Sequence, residues 1–439
     1  MRGVALTLAL RLLPPLVAGA QEFTTLKGHG GPVMDIAVDP ATGRVATASF
    51  DNSVGLWEGR TPTWLEGHQA AVITVAHLRP GVLLSGGDDF ALWLWDSEGG
   101  RKIGTHQGKI ADIAVGPDGQ SVATASWDGT IGYWQILRLG GPAQWTATRK
   151  VFSGHGSGVN SVRFSADGKR LYSASSDGTV RVWEDGGQRR RILVSNGFGV
   201  NKLVVNEAEG WLAYGAVDGA TRVVDLDSGA EIADFTLERR PILSMAYHAA
   251  TDQLAVGDGQ GYIMIIDTAR WHIVRDFRAM RQGPVWALDF SPDGQIIYAG
   301  GIEDIAYAWP VALLDEFDPV GGASGTFLRA TDQMPNGERQ FMRRCSICHA
   351  LGPPPSRKAG PSLYGLFGRR AGTVIGYRYS EILTGSDIIW SDDTIDALFD
   401  IGPDHYIPGS KMPMQRIRAP EDRQDLVDYL RVATRAKED

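Results

Sequence analysis

Cys345, Ser346, Ile347, Cys348 and His349 form the stretch of this chain whose residue types can do chemistry together. Two thiols separated by two residues, followed at once by an imidazole, make the attachment site of a c-type haem. The thiols become thioethers to the haem vinyl groups, and the short loop holds His349 beneath the iron. The sequence contains Cys 2, both within this pentapeptide, so no cysteine is left for a disulfide. A zinc site built from paired Cys-x-x-Cys units would need a second pair.

The elements that position this motif belong to a long chain. At 439 residues more than one domain is expected, because single cores stop growing well below that size. Hydrophobic residues at 43% and charged residues at 21% describe an ordinary globular protein. The net charge of -8 argues against a nucleic-acid partner, which requires a basic patch. Gly 55 and Trp 13 fit a turn-rich, all-β body. Residues 1–20 read as an export signal: Arg2, a mostly apolar run over 4–17, then Ala18-Gly19-Ala20 as a small-residue cleavage site. Arg11 and Pro14-Pro15 speak against a permanent membrane anchor. In bacteria c-type attachment follows export, so both features name the periplasm.

Residues 21–310 repeat with a period of about 40 residues, the length of a propeller blade. Ala48-Ser49-Phe50-Asp51 with Leu56-Trp57, Ala125-Ser126-Trp127-Asp128 with Tyr133-Trp134, and Ala174-Ser175-Ser176-Asp177 with Val182-Trp183 are the clearest copies. Gly87-Asp88-Asp89 with Leu94-Trp95 fills the second slot without the serine. Gly28-His29, Gly67-His68, Thr105-His106 and Gly154-His155 precede them. Later copies, around Asp218, Asp258 and Glu303, are degenerate.

These repeats resemble the WD40 family, which implies a seven-bladed all-β propeller. In that family His, Ser, Asp and Trp form one buried network per blade. By position the sets are His29, Ser49, Asp51 and Trp57; His106, Ser126, Asp128 and Trp134; and His155, Ser175, Asp177 and Trp183. Blades five and six, lacking the set, are expected to rely on packing alone. Residues 23–27 have no blade of their own and are expected to close the ring as the outer strand of blade seven, removing an exposed edge. His77, His248 and His272 lack ligand spacing. Residues 136–150, with Trp145, exceed the period and read as a protruding loop.

After Trp309, residues 311–330 read as a linker, opening with a short helix over 311–317. Residues 331–439 resemble class I cytochrome c, an all-α domain carrying one covalent haem c. That resemblance makes 337–344 the helix leading into the haem motif, with Phe341 facing inward, and 422–430 a terminal helix packed against it. It gives the Pro361 carbonyl as acceptor for the second ring N–H of His349, and Arg369, Tyr379 and Trp390 as the surroundings of a buried propionate. It gives Met412 as sixth iron ligand, with Ser410 as supporting hydroxyl and Met414 and His405 as rivals. Phe399 and Leu383 stand where many members carry polar side chains. Arg343, Arg344, Arg369, Arg370 and Lys411 read as a solvated face rather than a partner patch.

The expected function is a periplasmic electron carrier, with iron held by His349 and Met412 and the propeller as a protein-docking platform. Expected partners are periplasmic or membrane-bound redox proteins, with no nucleic acid and no small-molecule substrate. The alternatives are a redox-enzyme subunit whose propeller holds a second cofactor or active site, and a haem-based gas sensor.

Overall fold

The computed structural model describes residues 24–140, 144–239, 241–314, 334–354, 357–410, 412 and 414–435. The export signal and most of the linker expected above lie outside this range.

The repeats fold because each presents short β-branched runs broken by turns, which cannot bury both faces alone. Residues 24–310 form seven four-stranded antiparallel sheets among the described residues. In the first, Val45–Ser49 is buried at every position, whereas the outermost strand, Thr61–Glu66, is largely open. The second strands are sandwiched between neighbouring blades, and the apolar core is a series of seams. Ala46, Ala48 and Val54 of blade one pack with Val72, Val75 and Trp95 of blade two. The ring closes as expected: Thr24–Lys27 pairs antiparallel with Ile305–Pro310, Thr24 opposite Ala308, and Leu26 enters the seam with Ala306 and Trp57.

Four blades contain a buried polar relay, but its hydroxyl is not the serine expected from the repeat pattern. Thr47 Oγ1 accepts from the Trp57 indole at 2.8 Å and meets His29 Nε2 at 2.7 Å, while His29 Nδ1 reaches Asp51 at 3.0 Å. Thr124 and Ser173 do the same for His106 with Trp134 and for His155 with Trp183. Ser49, Ser126 and Ser175 instead donate to the carbonyls of Gly31, Gly108 and Gly158 and accept the N–H of Asp51, Asp128 and Asp177. Strand residues two apart share a face, so periodicity alone does not tell the two hydroxyls apart. The correction completes blade two: Ser85 bridges His68 at 2.7 Å and Trp95 at 2.8 Å, although the later serine is missing.

Blades five and six do not rely on packing alone. In blade six, Arg239 pairs with Asp258 at 3.0 Å and Asp276 at 2.6 Å and lies over the Tyr262 ring. In blade five, Asn196 links Tyr214 and Asp218 through longer contacts of 3.4 Å. Charge and amide groups replace the relay because a buried turn carboxylate needs a donor whatever its source. The expected protruding loop over 136–150 is instead an extension of the blade-three hairpin, Thr130–Arg138 pairing with Trp145–Ser153. Trp145 folds back on blade two, donating to Asp96 at 2.8 Å beneath the Arg79 guanidinium.

Around the propeller axis, carboxylates staple neighbouring blades through backbone N–H groups. Asp35 accepts from Val75, Asp112 from Val162, and Asp289 from Val38, the last across the closure seam at 2.7 Å. Against its burial, the charges of Arg163 and Lys202 hold Asp112 low. Burial pushes Asp35 up and Asp289 up to about 7.

The C-terminal unit has five helices among the described residues: α1 (Asn336–Arg344), α2 (Glu381–Thr384), α3 (Asp392–Ile401), α4 (Pro403–Tyr406) and α5 (Pro420–Ala433). Ser391 caps α3 in a reciprocal box with Thr394. Helices α1 and α5 pack together, with Phe341 against Tyr429 at 5.6 Å and Asn336 donating to Asp422 and Asp425 at 2.7 Å each. Leu426, Val427 and Leu430 are buried beneath them, joining Phe341, Ile395 and Leu398 in one core.

Two outcomes test this description. Ser85→Ala strands two buried groups and lowers stability by about 2 kcal/mol, read as a lower urea midpoint, whereas Ser85→Thr, which keeps the hydroxyl that blades one and three supply from threonine, is near neutral. The Asp289 carboxyl has a raised pKa, so its favourable share of stability is complete below about pH 4 and is lost as pH rises through 7. The urea midpoint of Asp289→Asn therefore gains on that of the wild type between pH 5 and pH 8.

Candidate functional site

The haem motif continues α1 as a final turn. The N–H groups of Cys348 and His349 both donate to the Cys345 carbonyl, at 3.0 and 2.8 Å. This turn brings both thiols and the imidazole to the wall of one cavity of about 410 Å³. The segment after the motif returns beside it: Gly360 N–H donates to the Cys348 carbonyl at 2.7 Å, and the Pro361 carbonyl lies 2.8 Å from His349 Nδ1. That contact takes the Nδ1–H, which leaves the Nε2 lone pair free for a metal. Burial pushes the imidazole pKa down, so the ring is neutral, the state a ligand requires. Burial also pushes the Cys345 thiol up to about 12 and raises Cys348. A Cβ on Gly360 would lie 2.5 Å from His349 Cε1, so the chain approaches the ring as closely as glycine allows.

All nine residues expected at the haem site line this cavity: Cys345, Cys348, His349, Pro361, Arg369, Tyr379, Trp390, Ser410 and Met412. Arg369 is held by the Ser362 carbonyl at 2.9 Å and by the Tyr364 carbonyl, and its own carbonyl accepts the Trp390 N–H at 3.0 Å. The Tyr379 hydroxyl accepts from Val374 N–H at 3.3 Å. Ser410 Oγ accepts from the Met412 N–H at 3.1 Å, so it shapes the methionine loop through the backbone. The rivals lie elsewhere: Met414 is 49% exposed and rests on Gly402, and His405 points outward beside Asp404. Leu383 and Phe399 add apolar wall to the cavity. Arg370 is bound by Asp387 and Arg344 by Gln340, each on its own partner.

Sequence reasoning missed two nearby residues. Ser380 Oγ is buried on the cavity wall without a hydrogen-bond partner among the described residues, and Tyr377 lines it with its hydroxyl donated to Ala359 at 2.7 Å. Both flank Tyr379, so their place in the same loop was the available signal. The rest of the wall that the C-terminal unit supplies is mostly leucine, isoleucine and phenylalanine. An apolar slot carrying two thiols, a neutral imidazole, a thioether and an unsatisfied hydroxyl fits a covalently held haem: its ring needs the apolar walls, its iron the nitrogen and sulfur, and its carboxylates the donors.

Comparison with known proteins agrees with this reading. Residues 335–434 match the family model described as Cytochrome c. Residues 20–58, 100–135, 147–184 and 271–309 match the WD domain, G-beta repeat. Cytochrome c of Cannabis sativa is 40% identical over 100 residues, covering 22% of this chain and 87% of the relative. Cytochrome c of Sesamum indicum is 41% identical over 101 residues, covering 23% and 88%, and that of Cochliobolus lunatus 39% over 99 residues, covering 23% and 91%. The haem motif, the cavity built around it and this likeness along nearly the whole of these small proteins lead to one assignment: the chain belongs to the cytochrome c family through its C-terminal domain, which it carries behind a seven-bladed propeller of WD40 repeats.

Proposed function

We propose that this chain is a periplasmic carrier of single electrons, in which Cys345 and Cys348 would join the haem c and His349 and Met412 would hold its iron. The observation that carries the proposal is that these four residues line one mainly apolar cavity. A bound haem would supply reversible one-electron chemistry at iron, and a thioether together with an imidazole as ligands would favour the reduced state. The protein's part is to bind and orient. The Pro361 carbonyl fixes the His349 ring and raises its basicity. Burial keeps both free thiols protonated and therefore poor nucleophiles before attachment. Arg369, Tyr379, Trp390 and Ser380 offer donors to the propionates, and Leu383 and Phe399 help exclude water.

The periplasmic assignment rests on the leader-like pattern of residues 1–20 and on where c-type attachment takes place. Among the described residues no helix is long and apolar enough to cross a membrane. The propeller serves as the platform for redox proteins, which a covalently joined carrier meets at high effective concentration.

The optical spectrum tests the ligand set. Exported protein should show a six-coordinate, low-spin haem that ignores carbon monoxide, and Met412→Ala should bind the gas readily. Ready binding by the unaltered protein would instead favour a sensor or an enzyme. A second substitution separates attachment from ligation. Gly360→Ala pushes on the His349 ring while leaving both cysteines in place. It should retain covalent haem in a denaturing gel but lose part of the low-spin signature.

A further inference from the structure

The haem cavity is not walled by the cytochrome domain alone. Phe50, Asn52, Gln69, Ala70 and Asp88 of the propeller also line it. All five belong to the turns of blades one and two that carry the His-Asp pairs, at one end of the ring. Arg357, which follows the haem motif by a few residues, reaches the same end. Its guanidinium lies over the Trp64 ring at 4.3 Å and pairs with Glu66 at 3.0 Å. The Arg357 carbonyl occupies the space that a Cβ on Gly30 would need.

Gly30 is informative because two of its three counterparts are not glycine. The residue after the blade histidine donates its N–H to the blade aspartate in each complete blade: Gly30 to Asp51, Gln69 to Asp89, Gln107 to Asp128, Gly156 to Asp177. Glutamine at two of these positions shows that a side chain is compatible with the turn, and Gly30 is not among the residues of positive φ. Blade one therefore has no internal need for glycine here. What the missing side chain makes room for is the cytochrome domain.

We infer that the mouth of the haem crevice docks on blades one and two of its own propeller, and that redox partners needing the haem edge compete with this internal contact. The inference rests on the haem reading above. The contacts are of a displaceable kind: the Arg357 and Glu66 side chains are 37% and 68% exposed, and ion pairs and cation–π contacts at such sites are individually weak. Covalent joining compensates by keeping the two surfaces close. The propeller thus has a second task besides holding partners, which is to cover the site of electron exchange until one arrives.

Gly30→Gln, which copies blades two and three, should undock the domain without disturbing either fold. In the full haem-loaded chain, the amides of 50–52 and 69–71 should lose protection from hydrogen exchange, and the radius of gyration in solution scattering should rise. Electron transfer to a stand-alone cytochrome c should accelerate by up to about tenfold, the gain expected if the open arrangement is about a tenth of the population in the unaltered protein. Glu66→Arg should act in the same direction, and adding Arg357→Glu should reverse it. Unchanged protection and transfer rate in Gly30→Gln, with a normal low-spin spectrum, would overturn the internal contact while leaving the carrier reading intact. Failure of the double charge swap to restore protection would also count against it.

Discussion

A hydroxyl group with two obligations organises the larger part of this molecule. In four blades one threonine or serine must accept the indole N–H of a buried tryptophan and satisfy the imidazole behind the turn, and the imidazole must in turn hold an aspartate. None of these groups can be buried unpaired at tolerable cost, so each fixes the next. The outer loop is thereby tied to the second strand, and the blade gains a rigid end. Those rigid ends present Phe50, Gln69 and Asp88 to the haem cavity.

The architecture was largely legible because its signals are repeated. A tetrad spaced at one period, with Gly-His before it, specifies sheet after sheet, and the leftover strand before the first copy identifies the closure. What stayed hidden was which of two same-face hydroxyls does the bridging, since Thr47 and Ser49 differ by one pleat and only the register separates them. The same ambiguity made blade two look incomplete. In blade six the pattern is silent because Arg239 performs the task of a histidine from a different place in the repeat.

The haem site was legible for another reason. Its ligands are fixed by chemistry, and the resemblance supplied the surrounding loop positions. Met412 was distinguished from Met414 by loop register, and the structure puts the two on different sides of the loop, one at the cavity and one against Gly402. Ser380 escaped notice because a lone serine carries no spacing signal; only the absence of a partner for its buried hydroxyl singles it out. Contributions from the propeller could not be read at all, since residues some three hundred positions apart share this wall without any common pattern.

The closure strand has a consequence in time. Thr24–Lys27 is made first among the described strands, yet its partner Ile305–Pro310 is made last of the propeller. Until that strand appears, the ring is an arc with an open edge at each end, and no local pairing can substitute. Folding of the propeller is therefore dominated by its most distant contact, the kind that slows a chain most. The haem-binding unit faces no such constraint, because its paired helices α1 and α5 lie within a hundred residues of each other.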